Sequence, residues 1–126
     1  MNIEREQEVV HQFHYDARNL EWEKEEGTPQ TNLNVQFQLA ENMEKVTDED
    51  TAINTVLTFM IVLENLVISG YVSQMNYIRG RIVKARNELT QENMEELAAP
   101  LFEILKRLTY EVTEVALDEP GVTLEF

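Results

Sequence analysis

The chain has 126 residues, of which 24 are acidic and 10 are basic, and its formal net charge is −14 at pH 7. So acidic a surface repels phosphate backbones and anionic lipid head groups, and nucleic-acid and membrane binding are therefore disfavoured. Because the chain contains no cysteine, disulfides and thiolate metal sites are excluded.

The first predicted strand covers residues 9–22. Its first half alternates apolar and polar residues, which is the period of two expected of a strand. After Ala17 the apolar phase moves to Leu20 and Trp22. A one-residue change of phase within a strand is typical of a β-bulge. We therefore predict one long, bent strand, preceded by a charged and frayed segment at residues 4–8.

Three further strands follow. Residues 32–39 alternate apolar with polar and indicate a half-buried strand with one wet face. Residues 52–63 are apolar on both faces in their second half, and a tight turn at residues 64–65 leads into a fourth strand at 66–77. Gly70, inside that strand, indicates a bulge or a close backbone approach.

The longest predicted element is a helix. Thr90 is a good N-cap, and Leu89 and Met94 have the spacing of a hydrophobic staple. Pro100 should either kink the helix or start a second segment. The sequence Asp-Glu-Pro-Gly at residues 118–121 is a stop signal, and an extended tail follows it.

The helix carries two apolar flanks. On a helical projection, seven residues form a core stripe that must pack on a sheet. These are Leu97, Leu101, Ile104, Leu105, Leu108, Val112 and Val115. A second flank lacks the charge expected of an exposed surface, and we predict that another subunit covers part of it. The interface candidates on this flank are Phe102, Thr109, Tyr110, Thr113 and Leu117.

One helix covers only part of one sheet face, whereas at least one strand is apolar on both faces. The remaining apolar surface is therefore either covered by a partner subunit or forms an exposed patch that binds something apolar. The candidates for binding polypeptide are Phe13, Tyr15, Leu20, Trp22, Phe37, Met60 and Val62.

No catalytic or metal-binding motif is recognisable. In a strand His11 points away from His14 and Asp16, and two ligands do not make a metal site. Four basic residues cluster in a segment, residues 79–86, that could hold an anion but more simply neutralises acidic neighbours. We expect neither an enzyme nor a cofactor. Since no signal peptide or apolar run long enough to span a bilayer is apparent, we expect one cytoplasmic domain at residues 1–126.

Two parts of the sequence resemble SecB, the bacterial export chaperone. The string H-Q-F-H-Y-D-A-R-N-L-E-W-E is similar to the bent first strand of SecB. The string A-P-L-F-E-I-L-K-R-L-T-Y-E-V, together with P-G-V-T-L-E-F, is similar to its first helix and the extended segment after it. The first crossover differs, because here it is the short, charged K-E-E-G-T-P-Q-T.

Across nearly its whole length the chain more specifically resembles the domain-of-unknown-function 1149 family of Gram-positive bacteria, which is grouped with SecB by fold. The strings M-N-I-E-R-E, Y-D-A-R-N-L-E-W-E, E-I-L-K-R-L-T-Y-E-V-T-E-V-A-L and P-G-V-T-L-E-F carry this match. The resemblance implies a dimer or a dimer of dimers, and a role in holding unfolded polypeptides through apolar grooves without ATP.

We therefore predict an α+β, SecB-like fold, in which a four-stranded antiparallel meander carries the long C-terminal helix on one face. The first functional hypothesis is an acidic, oligomeric chaperone or holdase that binds polypeptide segments. The alternatives are a module that binds a small apolar ligand in a pocket between helix and sheet, lined by residues such as Phe59 and Tyr71, and a structural or interaction protein without clients.

Overall fold

A computed structural model describes residues 1–40, 47–117 and 120–125. These residues form an antiparallel sheet and two α-helices, so the predicted α+β class with a long C-terminal helix is confirmed. The stop signal at residues 118–121 lies partly outside the described residues. The elements are β1 (Asn2–Arg5), β2 (Val9–Ala17), α1 (Leu20–Glu26), β3 (Asn32–Ala40), β4 (Thr51–Val62), β5 (Leu66–Arg79), a 3₁₀ turn (Arg86–Glu88) and α2 (Gln91–Leu117).

In the part of the chain that the structure describes, the sheet has five strands in the order β1-β5-β4-β3, and β2 also pairs with β5. The last three strands form the predicted meander, but the first strands lie beside β5 instead of beside β3. This is feasible because β5 has 14 residues. One end of β5 pairs with β1, where Ile3 faces Ile78, and the other end pairs with β2, where Phe13 faces Gly70.

The N-terminal region differs from its prediction in three respects. Residues 2–5 form a paired strand, so the prediction of a frayed segment at 4–8 is wrong for its first residues. The bulge in β2 lies between Val10 and Gln12 and not after Ala17. After Ala17 the chain leaves the sheet and forms α1. The prediction that the strand runs on to residue 22 is therefore wrong.

Gly70 marks a close backbone approach, as predicted. A Cβ atom at this position would overlap the carbonyl oxygen of Gln12 and would lie 3.1 Å from the Cα atom of Phe13. The strands β2 and β5 can therefore pair at this point only because residue 70 has no side chain.

The start of α2 is capped as predicted. The backbone N–H of Asn93 donates to Thr90 Oγ1 at 3.1 Å, and the N–H of Thr90 donates back to Asn93 Oδ1 at 3.2 Å. This reciprocal pair satisfies two amides that the helix would otherwise leave unpaired. Leu89 and Met94 both join the apolar cluster around Leu97. The helix continues through Pro100 as one element.

The helix packs on one face of the sheet through a single row of side chains. The fully buried residues of this row recur every fourth position: Leu97, Leu101, Leu105, Thr109 and Thr113. An i, i+4 row is inclined to the helix axis, and such a row follows the sheet when a helix crosses it obliquely. Because of that inclination the predicted stripe leaves the sheet on one side. Ile104, Leu108 and Val112 are half-buried, and the prediction of Val115 as a core residue is wrong, since 82% of it is exposed.

Candidate polypeptide-binding surfaces

Hydrogen bonds from Arg18 position α1. The guanidinium of Arg18 donates to Glu23 Oε2 at 3.2 Å and to Oε1 at 2.7 Å, and a third N–H donates to the carbonyl of Leu63 at 3.0 Å. The hydrogen bonds that Arg18 donates to the carboxylate of Glu23 raise the pKa of Arg18. The first turn of α1 is capped by Asn19, whose Oδ1 accepts from the N–H of Trp22 at 3.1 Å. The helix is thus fixed to the β4–β5 turn by polar contacts.

Because polar contacts hold α1, its apolar side chains remain at the surface. Leu20 is 56% exposed and Trp22 is 57% exposed. Two large apolar side chains on one seven-residue helix are unusual unless they meet a partner. Both were predicted to bind polypeptide, although as strand residues.

An apolar groove of about 380 Å³ lies between β3 and the first half of α2. Phe37 and Val35 contribute from the side of β3 that faces the helix, and Met94, Ala98 and Phe102 contribute from one row of α2. Its rim is polar, formed by Arg86, Gln91 and Glu95.

The groove lies beside a strand edge. Among the described residues β3 pairs only with β4 along its nine residues. Its other side therefore presents backbone donors and acceptors with no strand partner, and such an edge accepts an added strand. The guanidinium carbon of Arg86 lies 6.0 Å from the ring centroid of Phe37, so one end of the groove has a cation above an aromatic ring.

A second, smaller apolar groove of about 240 Å³ lies at the other end of α2. Tyr15 of β2 contributes to it, together with Val112, Val115 and Ala116 of the helix. Tyr15 and Val115 are exposed, and so is Tyr110, which lies on the other flank of the helix beside Gly121. The second half of α2 therefore has an apolar surface that the sheet of the same chain leaves uncovered.

The sheet face opposite α2 is more polar. A groove of about 680 Å³ there is lined by polar side chains together with Phe59, Met60 and Tyr71. His11 stacks on Tyr71 at 4.9 Å between ring centroids, and its Nε2 lies 2.6 Å from Ser73 Oγ. Among the residues that the structure describes, no three histidine, aspartate or glutamate side chains are grouped to hold a metal ion.

This arrangement bears on the ligand-pocket alternative. Phe59 belongs to the core cluster under α2, where Leu101 and Leu105 also lie. Tyr71 stacks on His11 on the opposite face of the sheet. Phe59 and Tyr71 both line the groove of about 680 Å³, but this groove lies on the sheet face opposite α2 and not under the helix, where that alternative placed the pocket.

The predicted polypeptide-binding residues are not gathered at one site. Phe13 is half-buried against the core, 5.9 Å from the ring of Phe59, and Phe37 lies in the groove beside β3. Met60 and Val62 lie on the opposite face of the sheet, where Met60 is exposed and Val62 half-buried. Tyr15, Leu20 and Trp22 are exposed elsewhere.

The predicted interface residues on α2 also separate into two groups. Thr109 and Thr113 are fully buried within the single chain. Phe102 and Leu117 are half-buried, and Tyr110 is exposed. Only these last three present surface to a partner.

Sequence reasoning did not find the groove beside β3, because its walls come from elements about 60 residues apart. A signal was nevertheless present. Met94, Ala98 and Phe102 recur every fourth residue on the side of α2 next to the core stripe, and Val35 and Phe37 alternate on a strand. The topology that makes β3 the edge strand nearest this flank could not be read from either pattern.

Of the basic segment, Arg79 neutralises acidic neighbours, as the simpler interpretation predicted. Arg79 contacts Glu4 at 2.7 Å and Asp50 at 3.0 Å, and both contacts raise the pKa of Arg79. Arg81 donates to Asn93 Oδ1 at 3.0 Å and to the carbonyl of Glu88 at 2.9 Å. The two contacts of Arg81 join the segment after β5 to the start of α2.

The sheet with α2 across one face defines the SecB-like fold. The Rv1957 SecB-like chaperone of Mycobacterium tuberculosis, solved in complex with a ChAD peptide from the Rv1956 HigA1 antitoxin, is similar with a TM-score of 0.55. The match covers 98% of this chain and 90% of that chain at 13% sequence identity. At that identity the similarity shows the fold, and function has to be argued from the site.

The chain belongs to the DUF1149 family of proteins of unknown function, whose model matches residues 1–126. A protein of unknown function from Streptococcus agalactiae, known from its crystal structure, is 60% identical with a TM-score of 0.92. That match covers 100% of this chain and 98% of the other. No curated protein matches the sequence. In the described part of the chain, no helix is long and apolar enough to cross a membrane.

Proposed function

We propose that this protein is an ATP-independent chaperone of the holdase type, which binds unfolded polypeptide segments in the cytoplasm. The observation that carries the proposal is the groove beside β3, where two aromatic rings, Phe37 and Phe102, lie next to a strand edge that no described strand pairs with. An unfolded chain offers both of the features that this surface accepts: apolar side chains and unpaired backbone amides.

The geometry suits β-strand addition. An extended segment that pairs with the outer edge of β3 gains main-chain hydrogen bonds that do not depend on its sequence. Every second side chain of the segment would then face the same side as Val35 and Phe37, because these residues alternate with outward-facing Asn34 and Gln36. Affinity would come from the backbone, and a preference for apolar residues would come from the groove.

Two further observations support the proposal. The Mycobacterium tuberculosis protein of the same fold was solved with a bound peptide. In addition, the net charge of −14 keeps the surface around the grooves strongly solvated, which favours solubility of a protein that exposes apolar grooves.

We also propose that a second copy of the chain covers the outer side of α2. Val115 is exposed there, and the exposed Tyr15 lies in the adjoining groove. Exposed apolar side chains at adjacent positions are typical of subunit interfaces. Light scattering on a sizing column should give the mass of a dimer or tetramer, and a monomeric mass at micromolar concentration would reject this part of the proposal.

The holdase proposal is tested by suppression of the aggregation of a chemically reduced model client. Phe37→Ser removes a ring from the groove, and we expect it to lower the suppression several-fold. Met60→Ser is the matched control, because Met60 is a large apolar residue on the adjacent strand but on the opposite face. Circular dichroism should show that both variants are folded. If wild-type protein suppresses no aggregation, the function is wrong, and if both variants lose activity equally, the groove is not the site.

A further inference from the structure

The C-terminal segment, residues 120–125, lies against the molecule outside the sheet, and no described strand pairs with it. This segment, the tail, folds back along α2: Gly121 contacts Tyr110, and Val122 contacts Thr113. Leu124 then packs against the core cluster that contains Leu101. The tail therefore occupies a site on its own chain, which we term the tail seat.

The tail has the pattern of a bound peptide. Val122 and Leu124 are half-buried, whereas Thr123 and Glu125 are exposed. This alternation is typical of an extended chain with one face against an apolar surface. Among the described residues, however, no strand of the sheet pairs with it.

The tail seat recognises backbone as well as side chains. The N–H of Val122 donates to Thr113 Oγ1 at 2.7 Å, and the same hydroxyl donates to the carbonyl of Thr109 at 2.7 Å. Thr113 is fully buried. A buried side-chain oxygen that accepts a main-chain amide binds an extended segment whatever the side chain of that residue.

A second hydroxyl on the same row has no partner. Thr109 is fully buried one helical turn from Thr113, and its Oγ1 has no hydrogen-bond partner among the described residues. Buried hydroxyls are normally paired. The tail therefore uses only part of the polar capacity of this surface.

The fit is closest at Gly121. A Cβ atom here would overlap the carbonyl oxygen of Tyr110 and would lie 2.7–2.8 Å from two carbons of its ring. A residue with a side chain could not occupy this position without moving the tail away from the helix. Within the described residues, the hydrogen bond from Val122 to Thr113 joins the tail to the helix beside this close contact.

We propose that the tail seat is a binding site for extended polypeptide segments and that the tail is its intramolecular occupant. An incoming segment displaces the tail and takes its contacts with Thr113 and the core cluster. Its sequence should follow the pattern of residues 121–124, which is a small residue, an apolar residue, any residue and a second apolar residue. This inference rests on the proposed polypeptide-binding function and adds a second binding surface with its own occupant. A tethered occupant competes at a high effective concentration, so the tail weakens the apparent affinity for an incoming segment.

The test uses the full-length chain and a fluorescently labelled peptide of the tail sequence, GVTLEF. Gly121→Val should displace the tail by steric overlap with Tyr110, and we expect it to bind the peptide about tenfold more tightly than wild type. Thr123→Val is the matched control, because Thr123 is exposed in the same segment and its substitution should leave the affinity unchanged. The peptide GDTDEF, which lacks both apolar residues, should not bind. Equal affinity of wild type and Gly121→Val for GVTLEF would overturn the proposal.

A second measurement avoids any effect of the substitution on folding. In wild-type protein, a saturating amount of GVTLEF should move the amide NMR signal of Val122 towards its unstructured position, because that N–H loses Thr113 Oγ1 as its acceptor. An unchanged Val122 signal would overturn the proposal even if the peptide binds.

The two proposals can fail separately. If wild type suppresses aggregation but the client leaves the Val122 amide unchanged, the holdase function stands and the tail seat is not its site. If GVTLEF displaces the tail but no client is protected, the tail seat stands and the holdase function is wrong.

Discussion

The two halves of α2 pack against the sheet with chemically different side chains. In the first half the residues that face the sheet are leucines, Leu97, Leu101 and Leu105, and all three are fully buried. In the second half the same row continues as Thr109 and Thr113, which are equally buried. There the apolar side chains face outward, most clearly Val115.

The cause is geometric. The sheet-facing row advances four residues at a time, and four residues rotate the helix by about 40° beyond a full turn. The apolar stripe, in contrast, alternates steps of three and four and stays on one side of the helix axis. The two paths coincide over the first half and diverge over the second. The divergence leaves the sheet side with Thr109 and Thr113, of which Thr113 binds the tail, and leaves the outer surface with Val115, which a second subunit can use.

The largest difference between the halves should appear when a core leucine is truncated. Leu105→Ala opens a cavity beneath the first half of α2, and we expect a loss of about 2–5 kcal/mol in the free energy of unfolding. Urea denaturation followed by circular dichroism measures it. A loss below about 1 kcal/mol would show that the two halves contribute alike.

A smaller loss is expected at the corresponding position of the second half. Thr113→Val keeps the shape of the side chain but leaves the N–H of Val122 without its acceptor. We expect a loss of about 1–3 kcal/mol in the same urea experiment, since a buried donor becomes unpaired. Thr123→Val, which is exposed, should be neutral. If the two substitutions cost the same, the hydrogen bond to the tail is not what makes Thr113 necessary.

Asp50 stabilises the end of the sheet at which α2 begins, and its effect should depend on pH. Its carboxylate accepts from the N–H of Gly80 at 2.8 Å and from Arg79 at 3.0 Å. The bond from Gly80 is the largest cause that lowers the pKa of Asp50 from 3.8 to about 2, and those from Thr47 and Arg79 act in the same direction. Because the pKa of Asp50 is lower in the folded state, its carboxylate stabilises the fold fully above pH 3.8. This stabilisation is lost as the pH falls towards about 2.

The corresponding variant is Asp50→Asn. It should be less stable than wild type at about pH 7, and the two proteins should converge at about pH 2, where the wild-type carboxyl is protonated. Urea unfolding at the two pH values decides the question, and a difference that does not change with pH would contradict the lowered pKa of Asp50.

The smallest change in stability is expected on the outer side of the second half. Val115→Ser should change the unfolding free energy of one chain by no more than about 0.5 kcal/mol, because the side chain is almost fully exposed. Its effect should appear in the mass, where light scattering should show a shift towards monomer. An unchanged mass would place any subunit interface elsewhere.

Much of this architecture could be predicted from sequence because its signals are local. The alternation in β3, the turn at residues 64–65, the close approach at Gly70 and the Thr90 cap each depend on a few neighbouring residues. The family and fold could be recognised for a related reason, because the matching strings are long.

The sequence predictions were wrong where residues far apart in the chain determine the local structure. Leu20 and Trp22 fit a continuing strand as well as a helix, and the choice is made by Arg18, which binds Glu23 and the carbonyl of Leu63 on another turn. Val115 fits the core stripe by period, but the path of the sheet beneath α2 leaves it exposed. The groove beside β3 requires a strand order that no local pattern contains. Function depends on such surfaces, which explains why the site was less predictable than the fold.

Trp22 is the only tryptophan in the sequence, and it lies more than half exposed on α1 instead of in the core. Its fluorescence emission should therefore be red-shifted already in the native protein and should change little when the core unfolds. A bound polypeptide segment could cover the same indole. A blue shift of the emission on mixing with an unfolded client would therefore report occupancy of the α1 surface. The protein thus carries a built-in optical reporter that follows encounters at its surface while remaining nearly silent about its own unfolding.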